Sequence, residues 1–229
     1  ENDDPVATPI PPANGRDNSP VSLDVSGFFS DVDGDRLTFT DGGTLPPGLR
    51  IDPQTGLISG TLTRDASQGG PYTVTITASD GNGGTVSTDF VFNVTNPVPV
   101  AVNDIVATNE DTPVTVNVLG NDADPDNDPL TVTQINGQAI TAGGPVAVAN
   151  GTIRLNNDNT LTFTPNANYN GTTVVSYRIS DGNGGFADAS VTFNVNSVND
   201  VPTIDLNSST PGTGHSASFE EGDAPVAIA

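Results

Sequence analysis

Cysteine does not occur in the 229 residues, so neither a disulfide framework nor a thiolate zinc site can hold this chain together. Lysine is missing too, which rules out a Lys–Asn isopeptide cross-link. The six basic residues are all arginines: Arg16, Arg36, Arg50, Arg64, Arg154 and Arg178. Against them stand 28 acidic side chains, for a net charge of −22. Such a charge repels nucleic acid and anionic membrane surfaces. Tryptophan is absent and tyrosine occurs only three times, leaving few aromatic platforms for a sugar-cutting site. The single histidine, His215, gives little support to Ser-His-Asp catalysis. No apolar run is long enough to span a bilayer and no signal-peptide core is visible, so the chain reads as a segment of something longer. Taken together the absences argue against an enzyme, a nucleic-acid binder and a membrane-inserted protein.

What is present is repetition and period-two alternation. Residues 79–94 read SDGNGGTVSTDFVFNV and residues 180–195 read SDGNGGFADASVTFNV; the offset from Asp80 to Asp181 is 101 residues. The same offset links Asn2-Asp3 to Asn103-Asp104, and a third such pair follows at Asn199-Asp200. In the first unit Val21, Leu23 and Val25 alternate with polar residues, as do Tyr72, Val74, Ile76 and Ala78, and then Val86, Thr88, Phe90, Phe92 and Val94. The second unit answers with Val114-Val116-Val118, Val175-Tyr177-Ile179 and Ala187-Ala189-Val191-Phe193-Val195. Strands with one wet face, joined by Gly- and Pro-rich turns, predict an all-β protein of tandem sandwiches with about seven strands each. The expected division is 1–98, 99–198, and a truncated start of a third repeat over 199–229. The first unit carries an extra hairpin, LPPGLRIDPQTGLISG, and in the second Tyr169 is placed to anchor a corner.

The acidic residues are not scattered. NDADPDNDPL, residues 121–130, puts aspartates at 122, 124, 126 and 128 with no basic residue nearby in sequence. Two carboxylates ~5 Å apart repel by about 0.8 kcal/mol in water and about 3 kcal/mol at the effective dielectric of a protein surface. Counting strands up and down the sandwich brings Asn103, Asp104, Asp122, Asp124, Asp126, Asp128 and Asp181 to the end where the preceding unit joins. Unit one repeats the plan with Asn2, Asp3, Asp31, Asp33, Asp35 and Asp80. At the opposite ends, Asp17 and Asp65 face Asn103-Asp104, while Glu110 and Asp111 face Asn199-Asp200. Oxygen ligands in this number suit Ca²⁺; Mg²⁺ keeps its waters, and softer metals want imidazole or thiolate. The plainer alternative is a solvated acidic face made of good turn formers. It is the preferred reading for Asp24, Asp89, Asp158 and Asp188.

At these residues a resemblance becomes plain. Unit one, with FSDVDGDRLTFT, LPPGLRIDPQTGLISGTL and YTVTITASDGNGG, resembles the dystroglycan-type cadherin-like domain and the related Ig module of bacterial surface proteins. Unit two, with VNDIVATNEDTPVTVNVLGNDADPDNDPLTVT, FTPNANYNG and YRISDGNGG, resembles the bacterial cadherin-like tandem repeat of very large secreted adhesins. The resemblance implies Ca²⁺ held at interdomain junctions by a linker Asn-Asp, a DxD loop and a further acid. Those roles fall on Asn103, Asp104, Asp124, Asp126 and Asp181, and in unit one on Asn2, Asp3, Asp31, Asp33 and Asp80. The linker NPVPVAVND lacks the longer acidic string of animal cadherins, so one or two ions per junction are expected rather than three. A secreted or bacterial cell-surface location is implied as well.

The leading expectation is a calcium-binding extender whose partners are the neighbouring repeats of its own chain. Two alternatives stand beside it: a module recognising an extracellular glycan or like repeats on another cell, and a spacer in a secreted polysaccharide-degrading enzyme.

Overall fold

A computed structural model describes residues 2–200 of the chain; the expected third repeat over 201–229, with His215, lies outside the described residues. The first unit carries β1 (Val6–Ala7), β2 (Ala13–Arg16), β3 (Pro20–Asp24), β4 (Phe29–Ser30), β5 (Thr38–Thr40), β6 (Leu49–Ile51), β7 (Leu57–Thr61), β8 (Tyr72–Ser79) and β9 (Thr85–Thr95). The second carries β10 (Asp104–Asn109), β11 (Val114–Val116), β12 (Thr131–Ile135), β13 (Gln138–Ala139), β14 (Pro145–Val148), β15 (Gly151–Leu155), β16 (Leu161–Pro165), β17 (Gly171–Ser180) and β18 (Phe186–Asn196). Helix among the described residues is confined to short 3₁₀ turns, none long and apolar enough to cross a membrane.

Each unit is a β-sandwich. In the first, a sheet of order β2-β9-β8-β5 faces β3-β7-β6, with the short pair β1-β4 at the margin. In the second, β10-β18-β17-β12-β13 faces β11-β16-β15-β14. The first strand of each unit returns beside the last and runs parallel to it, as β2 does with β9 and β10 with β18. In unit one this first strand is split. Pro9, Pro11 and Pro12 cannot donate to a ladder, so β1 pairs with β4 and the chain joins β9 only from Ala13 onward. Unit two has no proline there, and β10 is continuous.

The alternating residues point inward as their period requires. Val74, Ile76, Ala78, Phe90 and Phe92 are buried in unit one, and Val175, Tyr177, Ile179, Val191, Phe193 and Val195 in unit two. Phe29 meets Phe39 edge-on at 5.6 Å, and Phe163 stacks on Phe193 at 4.4 Å. Each such side chain contributes about 1.5–3 kcal/mol of burial. The extra hairpin of unit one is β6–β7, turned by Asp52, whose Oδ1 accepts the N–H groups of Gln54 and Thr55, and by left-handed Gly56. In unit two the Tyr169 hydroxyl donates to the carbonyl of Thr172 at 3.0 Å, closing the corner before β17.

Candidate metal centre between the two units

The two acidic loops are built to one plan. In unit two, Asp124 Oδ1 accepts the N–H groups of Asp126 (3.0 Å) and Asp128 (3.2 Å). In unit one, Asp31 Oδ1 accepts those of Asp33 (2.9 Å) and Asp35 (3.2 Å). The residue before the last aspartate is left-handed in both, Asn127 at φ 66° and Gly34 at φ 80°, a conformation that asparagine and glycine tolerate. The turn thus forces three carboxylates to one side. In each loop one oxygen from each of the three lies within 4.8 Å of the others.

The SDGNGG turns supply a fourth carboxylate. Asp181 Oδ1 accepts the N–H groups of Asn183 (2.8 Å) and Gly185 (2.9 Å); Asp80 Oδ1 does the same for Asn82 (2.7 Å) and Gly84 (3.0 Å). A Cβ on Gly185 or Gly84 would collide with the Oδ2 of its own aspartate, so the final glycine of the motif is obligatory. The asparagines then tie turn to loop: Asn183 Nδ2 donates to Asp128 Oδ2 at 2.5 Å and Asn82 Nδ2 to Asp35 Oδ2 at 2.7 Å.

The linker closes over this end. Asn96 Nδ2 donates to Asp181 Oδ2 at 2.8 Å, as Asn2 Nδ2 does to Asp80 Oδ2 at 2.9 Å. Val100 pairs with Ala123 through two backbone hydrogen bonds, 2.8 and 3.0 Å, inside the acidic loop itself. Unit one then seats on the loop. Asn18 Nδ2 reaches the carbonyl of Asp126 (3.4 Å), Arg64 Nε stands 3.0 Å from Asp128 Oδ1, and Gln68 Nε2 reaches the carbonyl of Asn183 (3.2 Å). Asn183 Nδ2 also donates to Asp65 Oδ1 at 3.1 Å.

The acids at this junction are buried. Asp17 is 2% exposed, Asp126 1% and Asp181 3%. Among the described residues, the buried side-chain oxygens without a hydrogen bond are Asp17 Oδ2, Asp124 Oδ2, both oxygens of Asp126, Asp128 Oδ1 and Asn96 Oδ1 at this junction, plus Asp31 Oδ2 in unit one. Of these, Asp128 Oδ1 has Arg64 beside it. Burial, followed by the close approach and charge of Asp124 and the charge of Asp128, pushes the Asp126 carboxyl up to about 7. Asp128 is raised by burial as well, partly offset by Asn183 and Arg64. Unpartnered buried oxygens are rare because each leaves its desolvation uncompensated. Hard oxygens gathered with a single arginine against them are the donor set a divalent hard cation takes, so the residues present fit calcium.

Not every expected residue arrives here. Asp104 and Asp122 stand instead around the Tyr177 hydroxyl, at 3.0 Å and 3.4 Å, with both carboxyls raised chiefly by burial. Asn103 is spent on β18, accepting the N–H and hydroxyl of Ser190. The match of Asn2-Asp3 to Asn103-Asp104 by the 101-residue offset is therefore corrected: the partner of Asn2 is Asn96. The offset holds at the SDGNGG turns and fails at the linkers, because unit two has the longer middle. Asp3 touches Asp33 through its backbone N–H (2.7 Å). Of the two acids expected to face unit two, Asp65 has a side chain 58% exposed and Asp17 is the buried one. Glu110 occupies the matching place at the far end of unit two, 6% exposed, accepting the Val198 N–H at 2.5 Å. Asp111 accepts the Asn168 N–H, and Asn199 and Asp200 are exposed just beyond. Asn96 escaped the sequence reading, although Asn-x-x-Pro recurs at 2–5, 96–99 and 199–202 and would have found it.

Comparison with known proteins agrees with the architecture. Residues 4–95 match the family model "Putative Ig domain", and residues 96–194 match "Bacterial Ig domain". No curated protein matches the chain. Similar solved structures include an endo-fucoidan hydrolase of glycoside hydrolase family 107, 21% identical with TM-score 0.39 over 85% of this chain and 29% of that one. Titin domains Z1Z2 in complex with telethonin are 12% identical, TM-score 0.44, over 87% of this chain and 100% of that one. The human desmocollin-1 ectodomain is 15% identical, TM-score 0.37, over 89% and 44%. This chain thus spans less than a third of the hydrolase it matches. One Ig-type model thus matches residues 4–95 and a bacterial Ig model matches 96–194, so the chain carries two Ig-type modules in tandem.

Proposed function

We propose that this chain is a calcium-stiffened extender, a pair of repeats in a secreted or surface-attached bacterial adhesin. The observation that supports it most is the set of buried carboxylate oxygens from both units that have no partner at the junction. Asp124, Asp126, Asp128 and Asp181 of unit two, Asn96 of the linker and Asp17 of unit one would hold the ion. Calcium supplies positive charge and six to eight oxygen contacts, turning mutual repulsion into a cross-link between units. Asp31, Asp33, Asp35, Asp80 and Asn2 would serve a preceding unit in the same way, and Glu110 with Asn199 and Asp200 a following one. Asp104 and Asp122 are left out of this ligand set because they share Tyr177.

The role is mechanical. Pro97 and Pro99 are buried and limit the linker, and the Val100–Ala123 bridge fixes its path. An ion binding both units would hold their angle and make the pair a rod. Calorimetric titration of the 229-residue chain should show calcium uptake, with melting raised by calcium and lowered by chelator. Absence of binding heat together with an unchanged melting curve would refute the proposal.

A further inference from the structure

The junction already contains one cation of the chain's own. Arg64 leaves unit one and places Nε 3.0 Å from Asp128 Oδ1, while its Nη1 donates to the carbonyl of Asn127 at 3.5 Å. The Asp128 side chain is fully buried and its other oxygen accepts from Asn183. Both oxygens of Asp128 therefore have a neighbour, whereas Asp124 Oδ2 and both oxygens of Asp126 have none. A separate feature, from the other unit, points to a ligand at the same place. Asp17 is 2% exposed, its Oδ2 is unpartnered, and its neighbour Asn18 reaches the Asp126 carbonyl. The available oxygens are thus sorted: the arginine stands at Asp128, while Asp124 Oδ2, both oxygens of Asp126 and Asp17 Oδ2 have no partner.

Unit one's own loop lacks such an arginine. Asp35 accepts from Asn82, and no ion pair reaches Asp31, Asp33 or Asp35 among the described residues. Arg178, the other paired arginine, is bound by Asp188 on its own sheet. Among the described residues only Arg64 carries charge from one unit to a carboxylate of the other.

We propose that Arg64 is a tethered counter-ion: it docks the two units when calcium is scarce and competes with calcium for Asp128. This rests on the calcium reading above. A guanidinium stays charged at any physiological pH, so the restraint is permanent. Its side chain is 45% exposed, so screening keeps the effect moderate. The device works in both directions. It holds a partial order without calcium and lowers the affinity for calcium when the ion arrives.

The test compares Arg64→Gln with Arg154→Gln, which removes the same charge from the exposed face of β15 in unit two, in the full 229-residue chain. Calcium titration of Arg64→Gln should give a dissociation constant about three- to tenfold tighter than wild type. In chelator, its small-angle scattering should show a broader spread of interdomain angles than wild type. Arg154→Gln should match wild type in both. Arg64→Gln indistinguishable from Arg154→Gln, with wild type binding calcium normally, overturns the role of Arg64 and leaves the calcium reading standing. A wild-type chain that takes up no calcium overturns both.

Discussion

The two acidic loops invite comparison because they have the same backbone and different surroundings. Asp31-Val32-Asp33-Gly34-Asp35 has no other unit over it among the described residues, and its Asp33 is exposed. Asp124-Pro125-Asp126-Asn127-Asp128 lies beneath unit one, with Asp126 and Asp128 buried. The turn alone gathers three carboxylates in either place. In unit one Asp33 faces water, although Asp31 Oδ2 is already buried without a partner. At the junction Asp126 and Asp128 are buried, and burial raises both carboxyls. The covered loop leaves four buried carboxylate oxygens without a hydrogen bond, the other loop one.

If cover makes the difference, substitutions should sort by loop. The largest effect belongs to Asp126→Ala, which should weaken junction calcium by more than about tenfold, a loss of at least ~1.4 kcal/mol. Asp33→Ala, at the equivalent exposed position, should change that junction constant less than twofold. Equal losses in calorimetry would break the comparison. Next comes Asp17→Asn, expected to weaken calcium by about three- to tenfold, since it removes the charge of the buried acid from the other unit. Asp65→Asn should have little effect, because its side chain faces solvent and Asn183.

The pH dependence sharpens the same contrast. Asp126 has a folded-state pKa of about 7, above its value in an unfolded chain, ~3.9. Its contribution to calcium-free stability is therefore fully present below about pH 4 and is lost as pH rises through 7. Calcium-free melting should fall across that window in wild type, and Asp126→Asn should flatten it. Calcium uptake should release protons near pH 7 in wild type and fewer in Asp126→Asn. The smallest effect is reserved for Asp158→Ala, in the exposed turn before β16. It should leave calcium affinity unchanged, since Asp158 only caps Thr160.

How far the sequence carried this picture depends on the kind of signal. Alternation such as Val74-Ile76-Ala78 is a direct imprint of a half-buried strand, and the all-β sandwich followed from it. The DxDxD and SDGNGG motifs are local turns whose hydrogen bonds lie within five residues, so their mutual likeness was visible too. What the sequence could not reveal was contact across space. Arg64 meets Asp128 only because two modules dock. Asp104, at the start of β10, and Asp122, two residues before Asp124, turn to Tyr177, a contact only the folded chain reveals. Prolines 9, 11 and 12 were legible as breakers, yet the sheet that β1 joins after the break is a tertiary decision.

The central claim is that covering the Asp124–Asp128 loop with unit one creates a calcium-dependent lock. Small-angle scattering of the 229-residue chain, with and without calcium at constant ionic strength, tests it most directly. The account predicts a narrower distribution of interdomain angles and a defined elongated particle when calcium is added, with the change abolished in Asp126→Ala. Identical profiles with and without the ion, in a protein that calorimetry shows to be calcium-loaded, would contradict it.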